Sequence, residues 1–261
     1  MSVAQDDGLT RRERQREATF EEITRASREL LGQGAELSLR AVATKMGMTA
    51  PALYRYVGSY QELVDLVAYE IDKSATATFA AAADRLPTDD AGGRLVVAVT
   101  EFRTWALTNP REFALVFANP IAEAACVRRE MNTLACSGHL FTDLMLEVWH
   151  QTHFAVPTLD ELPAAIRESV LDPLIPAKVE KVPREHLGLV WAYMQGWTQL
   201  YGVVALEVMG HMDPRVIESG EMFLDVIRNY APRLGLGDEM PRLEALMRAR
   251  IDSAAESAVN D

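Results

Sequence analysis

The sequence predicts an all-α protein. Apolar residues recur at spacings of three and four along almost the whole chain, the repeat of one helix face. Strand signals are missing: there is no Asn-Gly hairpin dipeptide and no sustained alternation of apolar with polar residues. Phe20, Ile23, Leu30 and Leu31 mark one face of a first helix, which Gly32 and Gly34 can end because glycine tolerates the left-handed conformation. Ser38 is a good N-cap for a second helix, with Leu39, Val42, Ala43 and Met46 turned inward and Gly47 closing it. Thr49 caps a third, short helix whose first turn holds Pro51, where a missing N–H costs little. Ser59-Tyr60-Gln61-Glu62 has capping-box spacing and opens a fourth helix, with Leu63, Leu66, Val67 and Ile71 on one side.

Residues 87–93 read as a loop, and 94–108 as an amphipathic helix ended by Asn109-Pro110. A long helical stretch from 121 to 154 comes next. Pro157, Pro163, Pro173, Pro176 and Pro183 then cut 155–183 into short helical pieces. Residues 185–212 are apolar around most of a helical circumference, so that helix needs cover on most sides. Asp213-Pro214 breaks it, a shorter helix spans 215–231, and the last residues, SAAESAVND, are expected to fray.

The chain has 261 residues, 49% hydrophobic and 25% charged, enough to bury a full core. No run approaches the roughly 18 apolar residues of a membrane span, and the start lacks the apolar centre of a secretory signal, so a cytoplasmic, membrane-free protein is expected. Cys126 and Cys136, ten residues apart in one expected helix, cannot pair within it and read as free buried thiols, with a redox switch between them as the alternative. The net charge of −12 is unevenly spread: residues 1–60 hold nine Lys/Arg against eight Asp/Glu, leaving −13 for the rest. A near-neutral N-terminal module with clustered arginines can therefore still turn one face toward phosphates.

The segment 39–57, LRAVATKMGMTAPALYRYV, carries the functional reading. Ala43 sits where two helices must approach closely, Gly47 four residues later permits a tight turn, and Leu53 plugs the next helix onto the last. That small–glycine–aliphatic spacing is what a helix-turn-helix needs to hold its second helix clear of the surface. Thr49, Tyr54, Arg55 and Tyr56 are donors suited to phosphates and base edges rather than to a core.

From about Phe20 to Ile71 these residues resemble the TetR family of regulators, with Leu53-Tyr54-Arg55-Tyr56-Val57 and Glu62-Leu63 meeting the family pattern. The resemblance implies phosphate contacts from Thr49, Tyr54 and Tyr56, and base-facing positions at Ala50, Pro51, Ala52 and Arg55; Ser38 and Tyr60 complete the candidate DNA-contacting set. Arg55 is the best base reader, since its fork fits the O6/N7 edge of guanine; the other reading is a solvated surface arginine. The family's usual lysine at the start of the fourth helix is Tyr60 here, which removes a charged phosphate contact but leaves a hydroxyl donor. Arg11, Arg12, Arg14 and Arg16 read either as an arm reaching DNA or as a solvated tail interleaved with Glu13 and Glu17.

The run 197–211, WTQLYGVVALEVMGH, resembles the C-terminal domain of one TetR branch, with Trp197, Tyr201 and Gly202 in its Trp-His-Gly places and tyrosine replacing the histidine; residues 102–120 resemble the same branch. The resemblance implies a homodimer through helices near 185–212 and 215–231, with Leu187, Trp191, Met194, Tyr201, Val208, Phe223 and Ile227 at the seam. Two-fold symmetry would set the reading heads about 34–36 Å apart on a palindromic double-stranded operator. It also implies a chamber for a small, mostly apolar or aromatic effector, with Trp105, Phe113, Phe117, Trp149, Phe154, Tyr193 and Trp197 as lining and Asn119, Glu147, His150 and His153 as polar anchors. The expected domains are an arm over 1–15, the helix-turn-helix domain over 16–62, a ligand-binding and dimerisation domain over 63–235 and a partly helical tail over 236–261. Glu207, inside an apolar run, is expected to bond across the dimer seam.

Glu147, His150 and His153 drift around the helix and make a poor metal set, and no cofactor, nucleophile–base pair or phosphate loop is evident. The expected function is a repressor rather than an enzyme. The alternatives are an activator, or a ligand- or protein-binding dimer of the same fold that has lost sequence-specific DNA binding.

Overall fold

The computed structural model describes residues 10–118, 136–173 and 182–260, so Asn119 and Cys126 lie outside the described residues. Every regular element among them is helical. They group into two compact units: residues 10–71 with 111–118, and residues 72–110 with 136–173 and 182–260.

In the first unit, α1 (Arg11–Gly32) starts from a reciprocal box. The Thr10 hydroxyl accepts from the Glu13 N–H at 3.3 Å, while the Glu13 carboxylate accepts from the Thr10 N–H at 2.7 Å. Two orphan donors are thereby satisfied, so residues 11–15, expected in a flexible arm, are helical instead. The carbonyls of Leu31 and Gly32 at the other end accept from the Arg111 guanidinium at 3.2 and 3.0 Å, and Arg28 makes a two-pronged pair with Glu112 at 2.7 and 3.0 Å. Both partners lie on α6 (Pro110–Phe117), some 80 residues along the chain. Between them come α2 (Leu39–Lys45), α3 (Ala50–Leu53) and α4 (Tyr60–Ala83), the last of which continues into the second unit after Ile71.

The second unit is built on α5 (Ala91–Thr108), whose Leu95, Val96, Val99, Phe102 and Ala106 are buried. It starts at Ala91, earlier than the loop expected to Gly93, because the Asp90 carboxylate accepts from the Gly93 N–H at 2.9 Å. A Cβ at Gly92 would lie 2.9 Å from Leu236, which explains a glycine inside a helix. Against α5 pack α7 (Cys136–Thr152), through Phe141, Leu144 and Val148, and α12 (Met240–Asn260), through Leu243, Met247 and Ile251. The C-terminal segment, expected as a partly helical tail, is thus one long helix that covers the core.

Between α7 and α9 (Gly188–Val208) the described residues hold only short pieces, including a 3-10 turn at Leu159–Glu161 and α8 (Ala164–Leu171), as the prolines require. The expected helix over 215–231 is two: α10 (Pro214–Ser219) and α11 (Glu221–Tyr230) meet at Gly220, whose φ of +66° is left-handed and where a Cβ would press on Ile251 at 2.8 Å. A buried ion pair crosses this region. Arg103 on α5 donates to both Glu207 oxygens at 2.7 and 3.2 Å and to the Ile217 carbonyl at 2.5 Å, its guanidinium lying over the Phe223 ring. Glu207, expected at the dimer seam, is satisfied within the chain.

Candidate nucleic-acid interface

The turn between α2 and α3 is fixed by backbone chemistry. The Gly47 N–H donates to the Thr44 carbonyl at 3.1 Å and the Met48 N–H to the Ala43 carbonyl at 2.9 Å, with Gly47 at φ +67°. This double closure satisfies the last carbonyls of α2 and reverses the chain within two residues. Ser38 caps the other end by accepting from the Ala41 N–H at 3.2 Å. Val42 and Ala43 from α2, and Leu53 and Val57 from α3 and the turn after it, are all buried. The aliphatic plug therefore seats α3 on α2, and α3 needs only four helical residues because main-chain bonds continue the winding through Tyr56 and Val57.

What remains outside is polar. Thr49, Pro51, Tyr54, Arg55 and Tyr60 are exposed, Tyr54 by 51%, while Ser38, Ala50, Ala52 and Tyr56 are half-buried. The Thr49 hydroxyl makes no cap bond, so it is available to an outside acceptor. Tyr56 is anchored edge-on to Phe20 at 6.0 Å, and Arg16 lies over the same Phe20 ring. Lys45 is drawn back to Glu29 at 2.8 Å, whereas Arg40 and Arg55 have no carboxylate partner among the described residues. Arg40, one of the clustered arginines of residues 1–60, is exposed on α2. At the head of α4 the Ser59 hydroxyl accepts from the Glu62 N–H at 3.1 Å, and the Glu62 carboxylate reaches the Gly58 N–H at 2.7 Å, one residue earlier than a capping box would have it.

In the second unit Trp105 and Trp197 join an aromatic cluster with Phe79, Phe102, Phe141 and Tyr201, at centroid separations from 5.7 to 6.4 Å. Trp149 sits elsewhere, flanked by His186 at 4.8 Å, His150 at 5.2 Å and His153 at 6.1 Å. Glu147 is bound by Arg94 at 2.8 Å, and Arg94 also pairs with Asp84, which makes Glu147 part of an ion-pair brace. Tyr193 is buried, and that burial, with the Asp143 carboxylate nearby, holds its phenol well above the usual range. Phe113 and Phe117 pair with each other at 5.4 Å in the first unit. Among the described residues no three His, Cys, Asp or Glu side chains are gathered to hold a metal ion.

Of the seam residues, Trp191, Met194, Tyr201, Val208 and Ile227 are half-buried in the single chain. Phe223 and Leu187, expected at the seam, are buried within the chain, Phe223 beneath Arg103. Leu206, Met209 and Met222, which the sequence reading did not place at the seam, are apolar and each more than 40% exposed. Trp191, Gln195, Thr198, Gly202 and Leu206 share one face of α9 by helical spacing, Met209 at its cap continues the row, and at Gly202 a Cβ would meet nothing within 4 Å.

A plugged helix-turn-helix ahead of a larger helical unit defines a class of folds, and comparison with known proteins places the chain within it. Residues 95–230, just over half of the chain, match the family model described as tetracyclin repressor-like, C-terminal domain. The chain belongs to the TetR family. It is 37% identical over 106 residues to the HTH-type transcriptional regulators Rv1816 of Mycobacterium tuberculosis (strain H37Rv) and Mb1846 of Mycobacterium bovis. That match spans 40% of this chain and 44% of each relative's length. The crystal structure of SCO4313, described as a candidate regulatory protein, superposes with a TM-score of 0.54 over 87% of this chain and 98% of its own, at 21% identity, a likeness of fold. Among the described residues no helix is long and apolar enough to cross a membrane.

Proposed function

We propose that the chain is a cytoplasmic transcriptional regulator that binds a palindromic operator as a homodimer, represses, and is released by a small, mostly apolar or aromatic effector. The observation that carries this reading is α3: Leu53 is buried beneath it while Thr49, Tyr54 and Arg55 stand outside with hydrogen-bonding groups to offer. Thr49 and Tyr54 position the protein on phosphates, and Arg55 reads a base edge. The relatives' names support regulation rather than catalysis. The exposed Leu206, Met209 and Met222 support a second copy as cover, since an apolar row of this kind is costly to leave in water.

Release has a physical route in the chain's continuity. Helix α4 supplies residues to both units, and α6, tied to α1 by Arg28–Glu112, follows directly after α5. A ligand that displaces α4 or α5 in the second unit would reset the first; a coupling of about 1–3 kcal/mol changes occupancy by about 5–150-fold.

Tyr60 and the net charge of −12 favour a second reading, a dimer of the same fold that does not read DNA. Fluorescence anisotropy on the chain's own upstream region separates the two. Regulation requires saturable binding that weakens steeply with salt and outlasts competitor DNA. Arg55→Ala is expected to cost about 1–3 kcal/mol and to relax specificity at one base pair. Binding no tighter to that region than to random duplex, and indifferent to Arg55→Ala, would decide for the second reading.

A further inference from the structure

Where α7 ends and α9 begins, the second unit holds a hollow of about 490 Å³, walled by residues 154–157, by Trp191, Ala192 and Gln195 of α9, by Tyr230, and by residues 232–235. Small-molecule sites span about 300–1,000 Å³. Its walls are braced. A Cβ at Gly188 would collide with the Pro157 carbonyl oxygen, one at Gly196 would press on the Tyr230 ring at 3.1 Å, and one at Gly235, φ +72°, would meet Thr152 at 2.9 Å. Absent side chains thus let these segments close on one another. The Tyr230 hydroxyl donates to the Ala192 carbonyl at 2.7 Å and the Thr152 hydroxyl to the Leu234 carbonyl at 2.9 Å, which fixes two walls to their neighbours. A hollow already formed asks little ordering of a ligand.

Its chemistry is selective. Phe154, Val156, Pro157, Trp191 and Leu234 make most of the lining apolar. Arg233 carries the one positive charge of the lining and has no carboxylate partner among the described residues. The Gln195 side-chain amide has no hydrogen-bond partner among the described residues either. The Tyr230 proton is committed to Ala192, so its oxygen can only accept. A guanidinium fork and a free amide beside apolar walls match a planar carboxylate on an apolar body. A cation would be repelled, and a neutral molecule would forgo the charge-assisted bonds.

We infer that this hollow is a binding site for an amphipathic monocarboxylate with an aromatic body, separate from the cluster around Trp105 and Trp197. The inference does not rest on the operator reading.

Isothermal titration of the full chain with 1-naphthaleneacetate and its neutral counterpart 2-(1-naphthyl)ethanol tests it. The acid should bind at one site per chain and the alcohol about tenfold or more weaker, the worth of a charge-assisted pair. Arg233→Gln, at an exposed position, should bring the acid down to the alcohol's affinity with the thermal melt unmoved, and Ala192→Trp should fill the hollow and abolish both. Equal binding of acid and alcohol, indifference to Arg233→Gln, or no heat from either at millimolar concentration would overturn the proposal. So would acid binding that appears only once dilution has separated the subunits, because the hollow would then be filled by a second copy.

Discussion

At Arg103 the chain buries a full positive charge within α5 and answers it with a full negative charge from α9. Burial alone pushes the Glu207 carboxyl up, and the Arg103 bonds oppose that shift. Such a pair adds little net stability, yet breaking it strands one charge in the interior. Arg103→Met is expected to destabilise the fold by about 3–5 kcal/mol, because Glu207 is left without a counter-charge. Combining it with Glu207→Leu should restore most of the loss, and calorimetric melts of the three variants check the sign of the coupling. Arg55 differs at the same scale: exposed and without an ion pair, its substitution should leave the melt alone and act on DNA only. Glu207 was noticeable in the sequence as a charge within an apolar run. Its partner, 104 residues away, was not, because no local spacing encodes a contact of that separation.

Elements carry their own signals, and most of them lie at their ends. Ser38, Gly47 and Pro51 mark α2 and α3 because orphan backbone groups must be satisfied within a few residues of the chain, and the observed caps use those residues. Asp90 does the same for α5 and also pairs with Arg242 of α12 at 2.8 Å. The Arg242 bonds, with the Gly93 N–H, hold its carboxyl below the ordinary 3.8. A depressed folded value stabilises the protein above the unfolded one and loses that contribution as pH falls through the folded one. Asp90→Asn keeps the cap but not the charge. The wild type should therefore melt higher than Asp90→Asn near neutral pH, with the gap closing below pH 3.8 in circular-dichroism melts taken down the acid series. The break at Gly220 was misread for want of such a signal: Ile251, from α12, is what leaves no room there.

For the whole molecule, an exposed apolar row among the described residues runs along α9 to its cap at Met209. Leu206→Glu with Met209→Glu places two carboxylates on a face proposed to meet its own copy, where like charges would oppose each other across the two-fold axis. Light scattering should then report monomers. Operator affinity should fall about a hundredfold or more, because the second reading head loses its effective concentration. An unchanged dimer would move the seam elsewhere.

The sequence by itself determined the all-α class, the helix-turn-helix and the outward residues of α3, since each depends on periodicity, caps and steric sizes that act within about ten residues. The tertiary structure alone decided which apolar residues face inward on helices apolar all round, as Leu206 and Phe223 show in opposite directions. It also turned an expected tail into the cover of α5, gave Glu147 and Glu207 to arginines, and opened the hollow beside Arg233. Those outcomes depend on which surfaces meet, and contacts between distant segments are set by packing competition across the whole chain rather than by the pattern of any one stretch.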